Sequence, residues 1–302
     1  MPKKGIVAAK KEIASKFLNN AVVISDLHAG CRMGLYPCDT WQDVILDGGK
    51  CHKPSRFQME MWRAWKKFWN EWVPEASRGE DYVLVINGDA MDGRHHNSVT
   101  QVTQNMADQK KIAEAILAPI LAKPQCKALY WIRGTEAHSG VSGEDEEDLA
   151  KMLGAVQNNS KQYSSDIMWL RLGGPKGCLV HFAHTIGTTG RTHYESSAVM
   201  AEIGEMYVEA GRWGNAAADV IVRSHRHRYI EIRVPSRHGY TIGVVTPGFQ
   251  GPTPFTRKVA GGRQSEPQVG GIIIRQGDVD LYTRSFVVGM QRSPEIVAQA
   301  EI

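Results

Sequence analysis

The chain has 302 residues, 42% of them hydrophobic and 23% charged, with a formal net charge of +4. This is the composition of a globular protein long enough to bury a sizeable core, which excludes a disordered or low-complexity chain. No apolar run reaches membrane-spanning length, and the basic start MPKKGIVAAKKEIASKF lacks a signal-peptide core, so no membrane contact and a cytoplasmic location are expected. The mild positive charge accommodates an anionic substrate without demanding nucleic acid.

Residues 3–18 read as a short helix feeding a first strand at 21–26, whose sequence AVVISD is apolar until its carboxyl end. Residues 31–55 are irregular. Their cysteines, Cys31, Cys38 and Cys51 beside His52, match no usual zinc spacing, and a zinc knuckle stands against free thiols; with Cys126 and Cys178 the count is odd, which argues against a disulfide framework. From 56 to 72, Phe57, Met61, Trp65, Phe68, Trp69 and Trp72 recur at helical spacing before Pro74, giving an amphipathic helix whose aromatic face suits core packing better than base stacking.

DYVLVIN at 81–87 is a second buried strand, ending in GDAMDGRHH, and a helix follows at about 100–121. KALYWIR at 127–133 is a third strand, ending in GTEAHSG. The acidic run Glu144–Asp148 then reads as the solvated first turn of a helix, where carboxylates favour the macrodipole. This alternation predicts parallel strands with helical crossovers. Beyond it, IMWLRL with CLVHFAHT, YIEIRV with YTIGVV, and the two halves of GIIIRQGDVDLYTRSFV read as three hairpins. A helix at about 194–211 and the strand ADVIVRSHRHR lie among them, so the second half is expected to be mostly antiparallel. Residues 247–270 read as a long Gly- and Pro-rich loop. The expected organisation is a single domain over 1–290, a cap-like insertion on the substrate side at about 31–80, and a tail at 291–302.

Most of the eleven histidines fall at strand ends: His28, His95, His96, His138, His181, His184, His225 and His227. Each alone suits a structural role. Asp26, Asp89 and Asp92 sit at the same kind of position, however, and ligands in open α/β sheets gather beyond the carboxyl ends of strands. Converging ends of this kind would form a pocket of carboxylates and imidazoles, the donor set of a dinuclear metal site.

Asp26-Leu27-His28, Gly88-Asp89-Ala90-Met91-Asp92, Gly134-Thr135-Glu136-Ala137-His138, then His181 or His184, then Ser224-His225-Arg226-His227 occur in that order. In this the chain resembles the calcineurin-like metallophosphoesterase superfamily, over residues 21 to about 250. The resemblance implies an αββα fold, a four-layer sandwich of two mixed β-sheets flanked by helices. It also implies hydrolysis of phosphate monoesters or diesters by a hydroxide bridging two divalent ions. By the same resemblance Asp26, His28 and His227 hold one ion, Asp89 bridges, and His225 with His184 holds the other, His184 being preferred to His181. Asp92 orients a ligand, His138 or else His96 protonates the leaving group, and Arg94 clamps phosphate. Manganese suits these ligands best, with iron, zinc or nickel as alternatives.

The chain departs from the family pattern in its third motif. Thr135 stands where the family has a metal-binding Asn, and Glu136 is expected to supply the oxygen instead. Ser224 stands for a Gly. The substrate would be a phosphorylated small molecule, a nucleotide or a nucleic acid. A DNA-directed exonuclease and a binding scaffold that keeps the fold without the chemistry are the alternative readings.

Overall fold

The computed structural model describes residues 17–95, 99–187, 194–236, 239–254, 266–277 and 280–289. Residues 3–16 of the helix expected at 3–18, residues 255–265 of the 247–270 loop, the tail at 291–302 and His96 lie outside these residues. The strands are β1 Asn20–Ile24, β2 Tyr82–Asn87, β3 Cys126–Ile132, β4 Ile167–Arg171, β5 Leu179–Ala183, β6 Val220–Arg223, β7 Ile230–Ser236, β8 Gly239–Val245, β9 Gln268–Gln276 and β10 Leu281–Gly289. The helices are α1 Arg56–Lys67, α2 Val73–Ala76, α3 Met106–Leu121, α4 Glu136–Ser139, α5 Glu144–Met152 and α6 Glu195–Trp213. No helix among the described residues is long and apolar enough to cross a membrane.

Two mixed five-stranded sheets form the centre, in the orders β10-β9-β1-β2-β3 and β4-β5-β6-β8-β7. β1, β2 and β3 are parallel, and β1 and β2 are buried along their whole length, as strands covered on both faces must be. Alternate residues face opposite ways. Ala21, Val23, Val83, Val85, Ile272 and Ile274 meet Val180, Phe182, Val220, Val222, Ile242 and Val244 between the sheets. Val22, Ile24, Leu84, Ile86 and Ile273 turn outward to pack with α1, α3 and α5. Val199 and Ile203 of α6 cover the outside of the second sheet against Val245 and Ile221. The result is the expected four-layer arrangement, helices outside two facing mixed sheets.

Three expectations need correction. The hairpins β4–β5, β7–β8 and β9–β10 all form, but the centre of the second sheet, β5-β6-β8, is parallel. Helix α6 carries the chain from β5 to β6 over the outer face, which a tight turn between parallel strands could not do. The β9–β10 hairpin leaves the second half and pairs antiparallel with β1 in the first sheet. The tryptophan helix, expected as part of a cap, is instead core. Trp65, Phe68 and Trp69 are at most 2% exposed, and they pack on Phe249 and Phe286 with ring centroids 5.0 Å (Trp65–Phe249) and 5.6 Å (Phe68–Phe286) apart. Burying a ring such as Phe68 contributes about 2 kcal/mol, a strong reason for this face to seek the sheet rather than solvent. Ser55 caps α1 through a capping box with Gln58, and a π-helical turn, Phe68–Trp72, continues its aromatic stripe. α3 begins at Met106, capped by Asn105, several residues later than the pattern suggests.

The five cysteines are free thiols, and none belongs to a metal-binding group among the described residues.

Candidate metal centre

The parallel strands do not stop pairing where the regular ladder ends. Beyond β1 and β2 the chain stays zipped: the N–H of Asp26 donates to Gly88 O, His28 to Asp89 O and Ala29 to Ala90 O, at 2.9, 3.1 and 2.9 Å. The two carboxylates and His28 are therefore delivered side by side at one rim. The second sheet brings its own strand ends to the same rim. Ser25 Oγ and Ser224 Oγ each lie 2.7 Å from Thr246 Oγ1, and Asn87 Nδ2 donates to Ser224 Oγ at 2.6 Å. This buried polar chain crosslinks both sheets beneath the site.

On that base two groups of ligand atoms assemble, one from Asp26, His28 and His227, the other from Asp89, His184 and His225, each with its atoms within 4.8 Å of one another. Asp26 Oδ1 lies 3.1 Å from His227 Nε2, and His28 Nε2 lies 3.2 Å from His227 Nε2. In the second group His184 Nε2 lies 3.0 Å from Asp89 Oδ2, and His225 Nδ1 4.0 Å from it. His28 and Asp89 also form a group with His138, so Asp89 sits between the two sets.

The outer atoms of the imidazoles are held. His28 Nδ1 lies 3.3 Å from Asp92 Oδ1, and His184 Nδ1 lies 2.7 Å from the Asn87 carbonyl. Nδ1–H donated to the Asn87 carbonyl leaves the His184 Nε2 lone pair facing inward, the arrangement in which histidine binds a metal, and the Asp92 carboxylate beside His28 Nδ1 favours the same tautomer there. Asp92 is itself pinned by Gln101 Nε2 at 2.8 Å and Gln250 Nε2 at 3.3 Å.

The backbone adds a second sign of specialisation. Asp26, His28, Asp89, His225 and His227 all adopt left-handed backbone conformations, with φ between 46° and 72°. They are five of the eight non-glycine residues with positive φ among the described residues. Each costs about 1–3 kcal/mol and persists only where surrounding structure enforces it. A glycine is obligatory at 134, because a Cβ there would collide with the Asp89 carboxylate.

Electrostatics follow from the packing. Burial alone would raise the Asp26 and Asp89 carboxyls, but neighbouring imidazoles, His227 and His184 for Asp26 and His184 and His138 for Asp89, hold both below the usual carboxylate range. For His184 burial works the other way, and Asp89 and Asp26 overcome it to raise the imidazole. His138 is pushed down to about 4, by burial first, with His28 adding to it against the pull of Asp89. Its Nδ1 lies 2.6 Å from the Asp92 carbonyl.

The donor set fits divalent metal ions. Asp26 Oδ1 is sealed from solvent and makes no hydrogen bond, although His227 Nε2 is only 3.1 Å away. Two groups that approach this closely without hydrogen-bond geometry are placed as co-ligands of one cation would be. Carboxylates with imidazoles suit manganese, iron, zinc or nickel.

The remaining expected residues are placed less uniformly. His184 joins the site, whereas His181 faces the opposite side of β5 against Arg223 Nη1, at 3.1 Å. Glu136, expected to replace the amide ligand, is exposed at the start of α4 and belongs to no metal-binding group. Thr135 turns to the site instead: its N–H donates to Asp89 Oδ1 at 2.8 Å and its hydroxyl lies 3.3 Å from the same atom. Thr135 is the extended N-cap of α4, and Glu136 is the first residue of the helix. Arg94 is exposed, its Nε donating to the Gln104 carbonyl at 2.7 Å. His95 and His138 approach edge to face, ring centroids 4.5 Å apart, above Asp92.

One site residue escaped the sequence. Glu146, assigned to a solvated helix start, is wholly buried and accepts hydrogen bonds from the N–H groups of Ala90, at 2.9 Å, and Gly134. It thus ties together the two loops that flank Asp89. Burial, reinforced by Asp89, pushes its carboxyl up to about 7. Its helical phase was the available signal, since Leu149 and Ala150, three and four residues on, share its buried face.

No family model and no curated protein matches the sequence. Among solved structures, that of Vacuolar Protein Sorting 29 from Cryptosporidium parvum aligns with a TM-score of 0.35 and 10% identity, over 91% of this chain and 100% of that one.

Proposed function

We propose that the chain is a metal-dependent hydrolase of phosphate esters. The observation that carries this reading is the pairing of two ligand triads, Asp26/His28/His227 and Asp89/His184/His225, with Asp89 between them. Two such sets side by side are what a two-ion phosphoester site requires. Manganese is the ion proposed for both.

Bound divalent ions would supply Lewis acidity toward phosphoryl oxygens and water. The protein's own residues do the rest. The Asn87 carbonyl fixes the tautomer of His184, and the Asp92 carboxylate beside His28 Nδ1 favours the matching tautomer of His28. Glu146 and Thr135 hold the Asp89 carboxylate in place through the backbone on either side and through its own oxygens. His138 Nε2 exchanges a proton with the leaving oxygen. A phosphate dianion beside it opposes the depression of its pKa and favours the protonated imidazole when substrate is present. Arg94 is the proposed phosphate clamp, and His96 the alternative proton donor.

The test is hydrolysis of bis-p-nitrophenyl phosphate and p-nitrophenyl phosphate with added manganese, alongside Asp89→Asn. Turnover of either ester by the wild type and its loss in the variant support the reading. Equal, background-level rates for both proteins, with no metal bound, overturn it in favour of a scaffold without chemistry. A preference for single- or double-stranded DNA over both small esters would place the activity with nucleases.

A further inference from the structure

The outer face of the second sheet carries a cavity that the metal centre does not use. It lies between α6 and strands β4, β5 and β6 and encloses about 570 Å³, within the range of about 300–1,000 Å³ usual for small-molecule sites. Its walls are aromatic and aliphatic. Trp169 on β4 and Trp213 at the end of α6 both line it, and both are far more exposed than a structural tryptophan needs to be, at 48% and 69%. Trp169 packs on His181 with ring centroids 4.5 Å apart.

The acidic lining is one-sided. Glu202, Glu205 and Glu209 stand three and four residues apart on α6, hence on one helical face, and all three line the cavity. Glu202 is taken by Arg223 Nη2 at 2.6 Å on the cavity floor. Glu209 is taken by Arg212 and by Trp213 Nε1, the latter at 2.7 Å. Glu205 has no ion pair or hydrogen bond among the described residues. Three carboxylates thus face one lining guanidinium, with one carboxylate left over beside two exposed indole faces.

We propose that this cavity binds an organic cation, an ammonium group on an apolar stem. The ammonium is held by Glu205, and the stem and charge lie against the faces of Trp169 and Trp213. Aromatic faces attract cations through their quadrupole, and a long amine buries its methylenes while its charge stays at the rim. An anionic ligand would meet the surplus carboxylates, and a purely apolar one would leave Glu205 desolvated and unpaired. The shared chemistry covers a free alkylamine and the side chain of a lysine.

The experiment is calorimetric titration of the full chain, without added metal, using n-hexylammonium in one arm and Nα-acetyl-lysine methylamide in the other. Saturable binding of either at one site per chain is expected, with at least tenfold weaker binding in Glu205→Gln and in Trp213→Ala. Both substituted side chains are exposed, so both variants should fold. n-Hexanol, which has the stem without the charge, should not bind. The arm that binds more tightly identifies the source. Absence of saturable binding in both arms, binding unchanged by both substitutions, or equal binding of hexanol overturns the proposal. Phosphoesterase activity does not enter the readout.

Discussion

Asp92 Oδ1 stands 3.3 Å from His28 Nδ1, and the same carboxylate is fixed from behind by Gln101 and Gln250. Burial would raise the Asp92 carboxyl, but contacts with His28 and His95 hold it well below the usual range. It is therefore ionised across the neutral range and can only accept. Its negative charge beside His28 Nδ1 favours the tautomer with the proton on that nitrogen, which leaves the Nε2 lone pair toward Asp26 and His227. Asp92→Asn keeps the size but removes the charge and offers an amide donor to the same nitrogen. Manganese affinity, measured by calorimetry, is expected to fall by about 10–100-fold, with little change in far-UV circular dichroism. Unchanged affinity would mean that Asp92 serves the turn at Gly93 and not the imidazole.

Asp89 belongs to the group with His184 and His225 and to the one with His28 and His138, which places it between the two proposed ligand sets. Saturating manganese should stabilise the wild type against heat, by about 2.7 kcal/mol at a free concentration one hundred times the dissociation constant. In Asp89→Asn the gain should largely vanish, because the amide brings no charge to either group. Scanning calorimetry with and without metal distinguishes this from simple loss of fold, since the metal-free variant must still show a cooperative transition.

The parts of this architecture that sequence made legible are local. Asp26, His28, Asp89, His225 and His227 each follow an apolar strand within a few residues, so strand ends and ligands could be read together. The three hairpins were legible for the same reason. The sheet to which β9–β10 belongs was not, because its pairing with β1 joins residues some 250 positions apart and turns on packing rather than on any local pattern. Phe68 and Trp69 carried a helical period that fixed which face is apolar, but not whether that face meets a sheet or overhangs a site. Glu146 shows the same limit at the centre itself. An acidic run at a helix start ordinarily faces water, and only the tertiary approach of Ala90 and Gly134 gives one member of it buried partners. Thr135, and not Glu136, meets Asp89, because the helix start falls between two neighbouring residues and the sequence does not show which of them precedes it.

Glu146 should leave a mark on metal-free stability. Its carboxyl titrates near 7 in the folded protein against an ordinary value of 4.5. Between those values the unfolded chain has already lost the proton that the folded chain keeps, so this group's contribution falls as pH rises from 4.5 through 7. His138 and His181, both depressed to about 4, act in the opposite sense as pH rises toward their ordinary 6.5. The informative quantity is therefore the difference between wild type and Glu146→Gln, which cannot ionise. Relative to wild type the variant should gain on the order of 3 kcal/mol between pH 4.5 and 7, on top of a constant loss from one missing backbone acceptor. Urea unfolding at several pH values measures this, and a pH-independent difference would show that Glu146 does not carry the titration.

His138 is the residue whose chemical role can be separated from its structural one. Its Nδ1 is held against the Asp92 carbonyl, so only Nε2 is free to exchange a proton, and burial keeps the ring neutral in the resting protein. A group that protonates the leaving oxygen matters in proportion to that oxygen's basicity. p-Nitrophenolate leaves without help, whereas an alkoxide does not. His138→Ala should therefore lower turnover of p-nitrophenyl esters less than tenfold and that of an alkyl phosphate ester by about 10²–10⁴-fold, with manganese affinity little changed. Equal losses for both leaving groups, accompanied by weaker metal binding, would instead assign His138 to the ligand set that already contains His28 and Asp89. The two outcomes call for different states of the same nitrogen: a lone pair committed to a cation cannot also deliver a proton. The ratio of the two rates therefore decides between them even though both begin from the same geometry.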